Sequence, residues 1–259
     1  MMRPVTTDAT LLPPPSLPPA PAAVRAPAGA QAIALPCGTR LWLLPQRAVW
    51  WPDEGMVLVA DVHFGKAATF RRAGQPVPHG TTGDNLARLD AVLATTGARH
   101  LVFLGDFLHA RSGAADALWQ QLQPWREEHA AVRMTLVRGN HDAHAGDPPA
   151  TLGIALVDEP WAPVAGVPVR ACHHPLVVDG ATVLAGHLHP TVTLRGMARD
   201  RLRLPSFDWS PGLLVLPAFG AFTGTAPLGA APGTRHFAVA ADRVHALPAD
   251  VSPGARTTF

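Results

Sequence analysis

The sequence predicts an α/β fold of two facing sheets flanked by helices, and three observations predict it. Buried-strand runs alternate with helix-period segments from residue 56 to residue 140. Past residue 150 the chain changes to short strands punctuated by Pro and Gly. Each strand of the first half ends in a polar cluster, so loops from both halves are expected to meet at one edge.

The elements follow in order. "AQAIAL", "TRLWLLP" and "AVWW" are short β-type runs, and "MVLVAD" is apolar on both faces, as a central buried strand must be. In "TTGDNLARLDAVLATTGA", Leu86, Leu89, Val92 and Leu93 fall on one helical face between a Thr/Asp start and a stop at Gly97. "HLVFLGD" is the next buried strand; residues 113–129 read as a second helix with a kink at Pro124, and "VRMTLVRGN" as a third strand. The order is βαβαβ. The second half offers "VPVRACHH", "ATVLAGHLH", "TVTLRG", "RLRLP", "GLLVLPA", "HFAVA" and "RVHAL" as strands of an antiparallel or mixed sheet.

Composition bounds the function classes. The chain has 259 residues and no repeat or mid-chain linker, so one large domain is expected over residues 31–250. Residues 1–30 are Pro- and Ala-rich, with "LLPPPSLPPAPAAV" unfit for helix or sheet, and read as a disordered leader; residues 251–259 read as a flexible tail. Apolar residues make up 47% of the chain, but no run approaches the roughly 18 residues of a membrane span. Two cysteines, Cys37 and Cys172, are too few for a disulfide framework, and the expectation is a reduced, cytoplasmic protein. The net charge of +2 does not mark a nucleic-acid binder, although it allows a local patch. Of 21 basic residues, Lys66 alone is lysine, in "DVHFGKAATF", where a compact ammonium would suit a site that a guanidinium would not.

Five stations at strand ends carry the chemistry. They are Asp61 and His63 in "DVH", Asp106 in "GDFLH", Asn140 and His141 in "GNHD", His173 in "CHHP", and His187 and His189 in "GHLH". A lone D-x-H is weak evidence in a chain with 13 histidines; five such stations in an order that one crevice can gather are strong evidence. Hard oxygens mixed with imidazoles suit Mn, Fe or Zn better than Ca or Mg. The number of ligands implies two divalent transition-metal ions, with Mn preferred and Fe or Zn open, and one carboxylate can bridge such a pair.

This order of motifs resembles the calcineurin-like metallophosphoesterase superfamily over residues 56–190. The resemblance implies a four-layer α/β/β/α sandwich and a dinuclear site. It assigns Asp61, His63 and His189 to one ion, Asn140, His173 and His187 to the other, and Asp106 to both. It also places His141 against the scissile phosphate, oriented by Asp142. "VADVHFGKAATFRRAGQPVPHGTT", "FLGDFLHAR" and "VLPAFGAFTGT" are similar to the ligase-associated DNA damage response endonuclease (PdeM) subgroup. That likeness implies a DNA phosphodiester as substrate, with a DNA ligase and a helicase as repair partners. His109 stands where many superfamily members carry a second acid, and His174 is the alternative to His173 as ligand.

Lys66, Arg71, Arg72 and Arg111 lie near the ligand stations in sequence and are the expected substrate grip. The expected activity is therefore metal-dependent phosphodiester hydrolysis, as an endonuclease. A small nucleotide diester or pyrophosphate is the second substrate class, and a non-catalytic scaffold the third reading.

Overall fold

The computed structural model describes residues 25–75, 80–109, 116–139, 142, 146–195, 200–220 and 233–248. A first sheet of seven strands contains β1 (Gln31–Ala34), β2 (Arg40–Leu44), β3 (Ala48–Trp51), β4 (Met56–Ala60), β5 (His100–Leu104), β6 (Arg133–Val137) and β7 (Ile154–Val157), in that spatial order. The pairings from β1 to β4 are antiparallel, and those from β4 to β7 are parallel. Parallel neighbours need crossovers, and the helices supply them. Helices α1 (Lys66–Arg72) and α2 (Thr81–Thr96) join β4 to β5, and α3 (Asp116–Glu128) joins β5 to β6.

Every residue of β4 and β5 is buried, which is why both read as unbroken apolar runs. Val57, Val59, Leu101 and Phe103 face the helix layer, where they meet Leu86, Leu89, Val92 and Leu93 of α2 and Leu118, Leu122 and Trp125 of α3. Gly97 ends α2 in the left-handed conformation, donating its N–H to Leu93 O. Helix α3 continues through Pro124 to Glu128. Asp90 of α2 ties the two helices, accepting from Trp125 Nε1 (2.6 Å) and His129 Nε2 (2.8 Å) through one oxygen.

The second sheet is built from β8 (Val169–Ala171), β9 (Thr182–Ala185), β10 (Thr191–Arg195), β11 (Arg201–Ser210), β12 (Leu213–Val215), β13 (Arg235–Ala240) and β14 (Arg243–Ala246). Its spatial order is β14-β13-β11-β12-β9-β8, with β10 on β11. The β8–β9 and β9–β12 pairings are parallel and the others antiparallel, so this sheet is mixed as well. Leu58, Ala60, Val102, Leu104 and Val137 alternate with the helix-facing residues and meet Val169, Ala171, Leu184, Phe207, Leu214 and Phe237 across the sandwich. On the far face of β9, Val183 and Ala185 are covered by Leu176, Val178 and Leu213.

Two strands extend beyond the sequence expectation. β7 is an edge strand with no fully buried residue, so its apolar signal is weak. β11 passes through Pro205, which reads as a strand end but sits where the strand leaves β10 for β13. Within the expected leader, Ala30 N–H donates to Pro27 O and Gly29 O accepts from Val244 N–H, so residues 27–30 pack on β14. Residues 1–24 and the expected tail lie outside the described residues. Among the described residues, no helix is long and apolar enough to cross a membrane.

At the far end of the first sheet from the polar clusters, His100 is buried between Arg133 and Thr135. Arg133 Nη2 can only donate, so His100 Nδ1 accepts (2.8 Å) and the ring proton sits on Nε2, toward Thr135 Oγ1 (2.9 Å). Burial, with the Arg133 charge, pushes this imidazole down to about 4. The folded state therefore keeps His100 neutral, while the unfolded chain takes up a proton below about pH 6.5. Stability should fall as pH drops through this window. The His100 contribution to the loss should reach about 2 kcal/mol by pH 5, one pKa unit being worth about 1.4 kcal/mol. Urea unfolding of chelator-treated wild type and His100→Gln between pH 7.5 and 5 should show the variant losing less by that amount; parallel losses would refute the assignment.

Candidate metal centre

Parallel register sets up the site. Ala60, Leu104 and Val137 lie abreast in β4, β5 and β6, so Asp61, Asp106 and Gly139 follow at one edge. In the second sheet Ala171 pairs with Leu184 and Ala185 with Val215, which sends His173 and His187 out of the same end. His173 Nδ1–H donates to Leu104 O (3.1 Å) and joins the two sheets there. The loops after β4 and β5 stay paired beyond their strands, through His63 N–H to Asp106 O (2.9 Å) and Phe64 N–H to Phe107 O (2.8 Å).

The backbone of this edge is strained. Seven non-glycine residues among those described have positive φ, and five of them are Asp61, His63, Asp106, His187 and His189. An L-residue adopts this conformation at a cost, and such residues persist where the surroundings over-determine them, most often at functional sites. Here the left-handed residues are themselves the ligand-type ones, set in the loops just past β4, β5 and β9.

The side chains form two adjoining groups that share Asp106. Asp61, His63 and His189 each bring a donor atom within 4.8 Å of the others, as do His173, His174 and His187. Asp106 Oδ2 lies 3.7 Å from His63 Nε2, and its Oδ1 lies 3.4 Å from His173 Nε2. Asp61 Oδ2 accepts from His187 N–H (2.9 Å), while its buried Oδ1 has no hydrogen-bond donor among the described residues and stands 3.4 Å from His189 Nε2. His173 Nε2 and His187 Nδ1 are 3.0 Å apart. Burial pulls both His173 and His187 below the ordinary imidazole pKa, and for His187 the neighbouring His173 and His174 act in the same direction. Neutral imidazoles are the ligating form, and a buried carboxylate oxygen without a donor is a place for a cation, so the donor set fits metal ions.

Other side chains hold this arrangement. Glu159 Oε2 accepts from the backbone N–H groups of His173 (2.7 Å) and His174 (2.9 Å), and its Oε1 takes the His174 ring at Nδ1 (2.5 Å). Burial pushes Glu159 up, but the His174 ring and these N–H groups outweigh it and hold the carboxyl below its usual range. Asp142, expected to orient His141, gives Oδ1 to the N–H groups of Phe107 and Leu108 and Oδ2 to that of Gly139. It thus latches its own loop to the loop after Asp106. Burial pushes the Asp142 carboxyl up to about 6, and the Gly139 and Leu108 N–H groups oppose that shift.

From α2, Asn85 Nδ2–H donates to Val62 O (3.3 Å) and Arg88 to Phe219 O (2.5 Å). Phe219 and Gly220 in turn donate to Ala60 O and Asp61 O, bracing the turn at Asp61 from behind.

Of the expected substrate-binding residues, Lys66 opens α1 half-buried beside the carboxylates. Burial lowers its pKa, and Asp106 and Asp61 partly restore it. Arg71 and Arg72 lie in the last turn of α1, about 8 Å further along the helix at 1.5 Å per residue. Asn140, His141 and Arg111 lie outside the described residues. His109 packs edge-on to His63 (5.6 Å between ring centroids) and stacks on Phe70 (5.9 Å).

The sequence profile of the calcineurin-like phosphoesterase family matches residues 56–211, more than half of the chain. The chain belongs to the calcineurin-like phosphoesterase family. A crystal structure of Pseudomonas putida nuclease MPE is 41% identical, covers 84% of this chain and 100% of its own, and superposes with a TM-score of 0.72. The phosphoesterase Yfce from E. coli is 16% identical over 70% of this chain and 86% of its own, with a TM-score of 0.36. No curated protein matches the chain.

The phosphoesterase motifs show why the sequence exposed some of these residues and concealed others. Ligand-type residues recur in short signatures, whereas Glu159, Asn85 and Arg88 stand alone in runs that carry no signature. The glycine of "GHLH" is legible only in the structure: a Cβ on Gly186 would lie 2.7 Å from both Ala60 Cβ and Asp61 Oδ2. Gly186→Ala should therefore lower unfolding free energy by about 1–3 kcal/mol, the usual cost of overpacking. Chemical unfolding of the variant would check this; wild-type stability would show that the edge is looser than its contacts indicate.

Proposed function

We propose that this phosphoesterase cleaves phosphodiester bonds in DNA with two divalent transition-metal ions, Mn being the preferred metal and Fe or Zn the alternatives. Asp106 carries the reading: one buried carboxylate directs its two oxygens at two donor groups, as a shared ligand would. Asp61, His63 and His189 hold one ion; His173 and His187, with Asn140, hold the other. His173 is preferred to His174 because its Nε2 faces Asp106, whereas the His174 ring is committed to Glu159 at Nδ1. When bound, the ions supply Lewis acidity to a phosphoryl group and to water near neutral pH.

The chain's own residues do the rest. Leu104 O and Glu159 orient the ligating edge, and Lys66 brings positive charge against the phosphate. His141 holds a proton for the leaving oxygen, and Asp142 positions its loop through the backbone. The likeness to a nuclease at 41% identity supports a nucleic-acid substrate. The test is a Mn-loaded sample given single-stranded DNA, duplex DNA, RNA, cyclic nucleotides and a chromogenic diester in parallel. Cleavage confined to the small diesters would leave the second substrate class standing.

Three outcomes are expected of variants. Asp106→Ala should lose bound metal and activity together, measured by elemental analysis, and full occupancy would refute the shared ligand. His141→Ala should keep its metal and lose turnover by roughly 10²-fold or more. Neutralising Lys66, Arg71 and Arg72 together should lower the ratio of DNA cleavage to small-diester hydrolysis and flatten the salt dependence on DNA. An unchanged ratio would remove the arginines from the substrate path.

A further inference from the structure

The strand pair that leaves the ligand motif "GHLHP" has no place in the chemistry above. β10 begins two residues after His189, and Ser206 N–H closes the base of the pair on Pro190 O (3.0 Å). Among the described residues β10 pairs as a strand with β11 alone, and residues 201–205 of β11 pair as a strand with β10 alone; β11 joins β13 and β12 from Ser206 onward. Thr191–Arg195 and 201–205 thus form a two-stranded arm projecting from the second sheet beside the metal centre. At about 3.3 Å per residue its five pairs reach about 16 Å from the root.

The arm concentrates charge. Its described residues, 191–195 and 200–205, include three arginines against one aspartate, whereas the entire chain has a net charge of only +2. Arg201, Leu202 and Arg203 are exposed, and Arg201 makes no ion pair with any described residue. Strand alternation puts Arg201 and Arg203 on one face and Leu202 on the other. Leu202 is 56% exposed, so the outer end of the pair stands in solvent, while Thr191 and Val192 at its root are buried. A polyanion bound at the centre and continuing for several nucleotides past His189 would extend along a ribbon of this length; a small diester does not extend that far.

We propose that this arm is a rest for the phosphate backbone of the nucleic-acid strand flanking the cleaved bond, with Arg201 and Arg203 as phosphate contacts. The proposal rests on the nucleic-acid reading of the site. Exposed edge strands also carry cations that deter strand pairing between molecules, and that role by itself would leave substrate handling untouched.

The test is Arg201→Gln/Arg203→Gln in the full-length, metal-loaded protein, compared with wild type on a long single-stranded DNA, a trinucleotide and a chromogenic diester across a salt series. DNA binding should weaken by on the order of tenfold, and the slope of log K against log salt should fall by roughly 0.7 for each arginine. The ratio of long-strand to trinucleotide cleavage should fall with it, at an equal melting temperature. An unchanged slope and ratio, or an equal loss on all three substrates, would overturn the arm. Wild type that cleaves the chromogenic diester but no DNA would overturn the nucleic-acid reading beneath it.

Discussion

Two carboxylates buried within reach of four imidazoles impose the constraint on which the rest of this structure depends. Asp61 is 0% and Asp106 2% exposed, and removing each charge from water costs several kcal/mol unless other charges or hydrogen bonds offset it. His173 and His187 do little to offset it, because burial pulls both below the ordinary imidazole pKa. The His187 backbone N–H helps at Asp61 Oδ2, and Lys66 brings one half-buried cation alongside. The remaining imbalance is what a pair of divalent cations corrects. On this account binding two ions and stabilising the edge are one process, since ligands that repel or desolvate one another unaided become favourable together once the ions are in place.

That requirement explains the cost visible in the backbone. Each strand must end where its apolar run stops and bring ligands into the crevice within a few residues, and Asp61, His63, Asp106, His187 and His189 take left-handed backbone there. The sandwich absorbs the strain because the strand ends stand on a core buried from both sides. The braces are correspondingly redundant. Asp61 is held from α2 through Val62 O and Phe219 O, and His173 is held by both Leu104 O and Glu159. Arg47 donates to the neighbouring Ala218 O; burial and the nearby Arg88 pull it down to about 10, so this brace brings two like charges together.

How much of this was legible in the sequence depended on the range of the signal. β4, β5 and α2 declare themselves because burial on two faces, or on one helical face, writes a local period. The ligand stations declare themselves because chemistry demands particular residues at particular strand ends. β7 stayed hidden as a half-exposed edge, and the second half of β11 lay behind Pro205, whose tolerance depends on a change of partner strand. Glu159 was invisible for a different reason: its partners are the backbone N–H groups of residues 14 and 15 positions later, a pairing made by the tertiary fold. Asp142 carries a role that the motif does not spell out: both of its oxygens serve backbone N–H groups, while His141, which "GNHD" sets beside it, lies outside the described residues.

Charge shows the same division between what averages away and what geometry concentrates. A net charge of +2 spread evenly over 259 residues would give no grip on a polyanion. The fold does not spread it evenly: Lys66 is set against the carboxylates at one end of α1, and the arm that begins just after His189 collects cations on a ribbon without a core of its own. A rigid sandwich edge can hold reacting groups within fractions of an ångström but is too compact to follow a strand. A two-stranded projection can follow one but cannot be packed tightly enough for catalysis. Joining them at Pro190 lets one short sequence, "GHLHP", end in the site and begin the arm, so on the proposed function a strand resting on the ribbon would be positioned directly relative to the ligands.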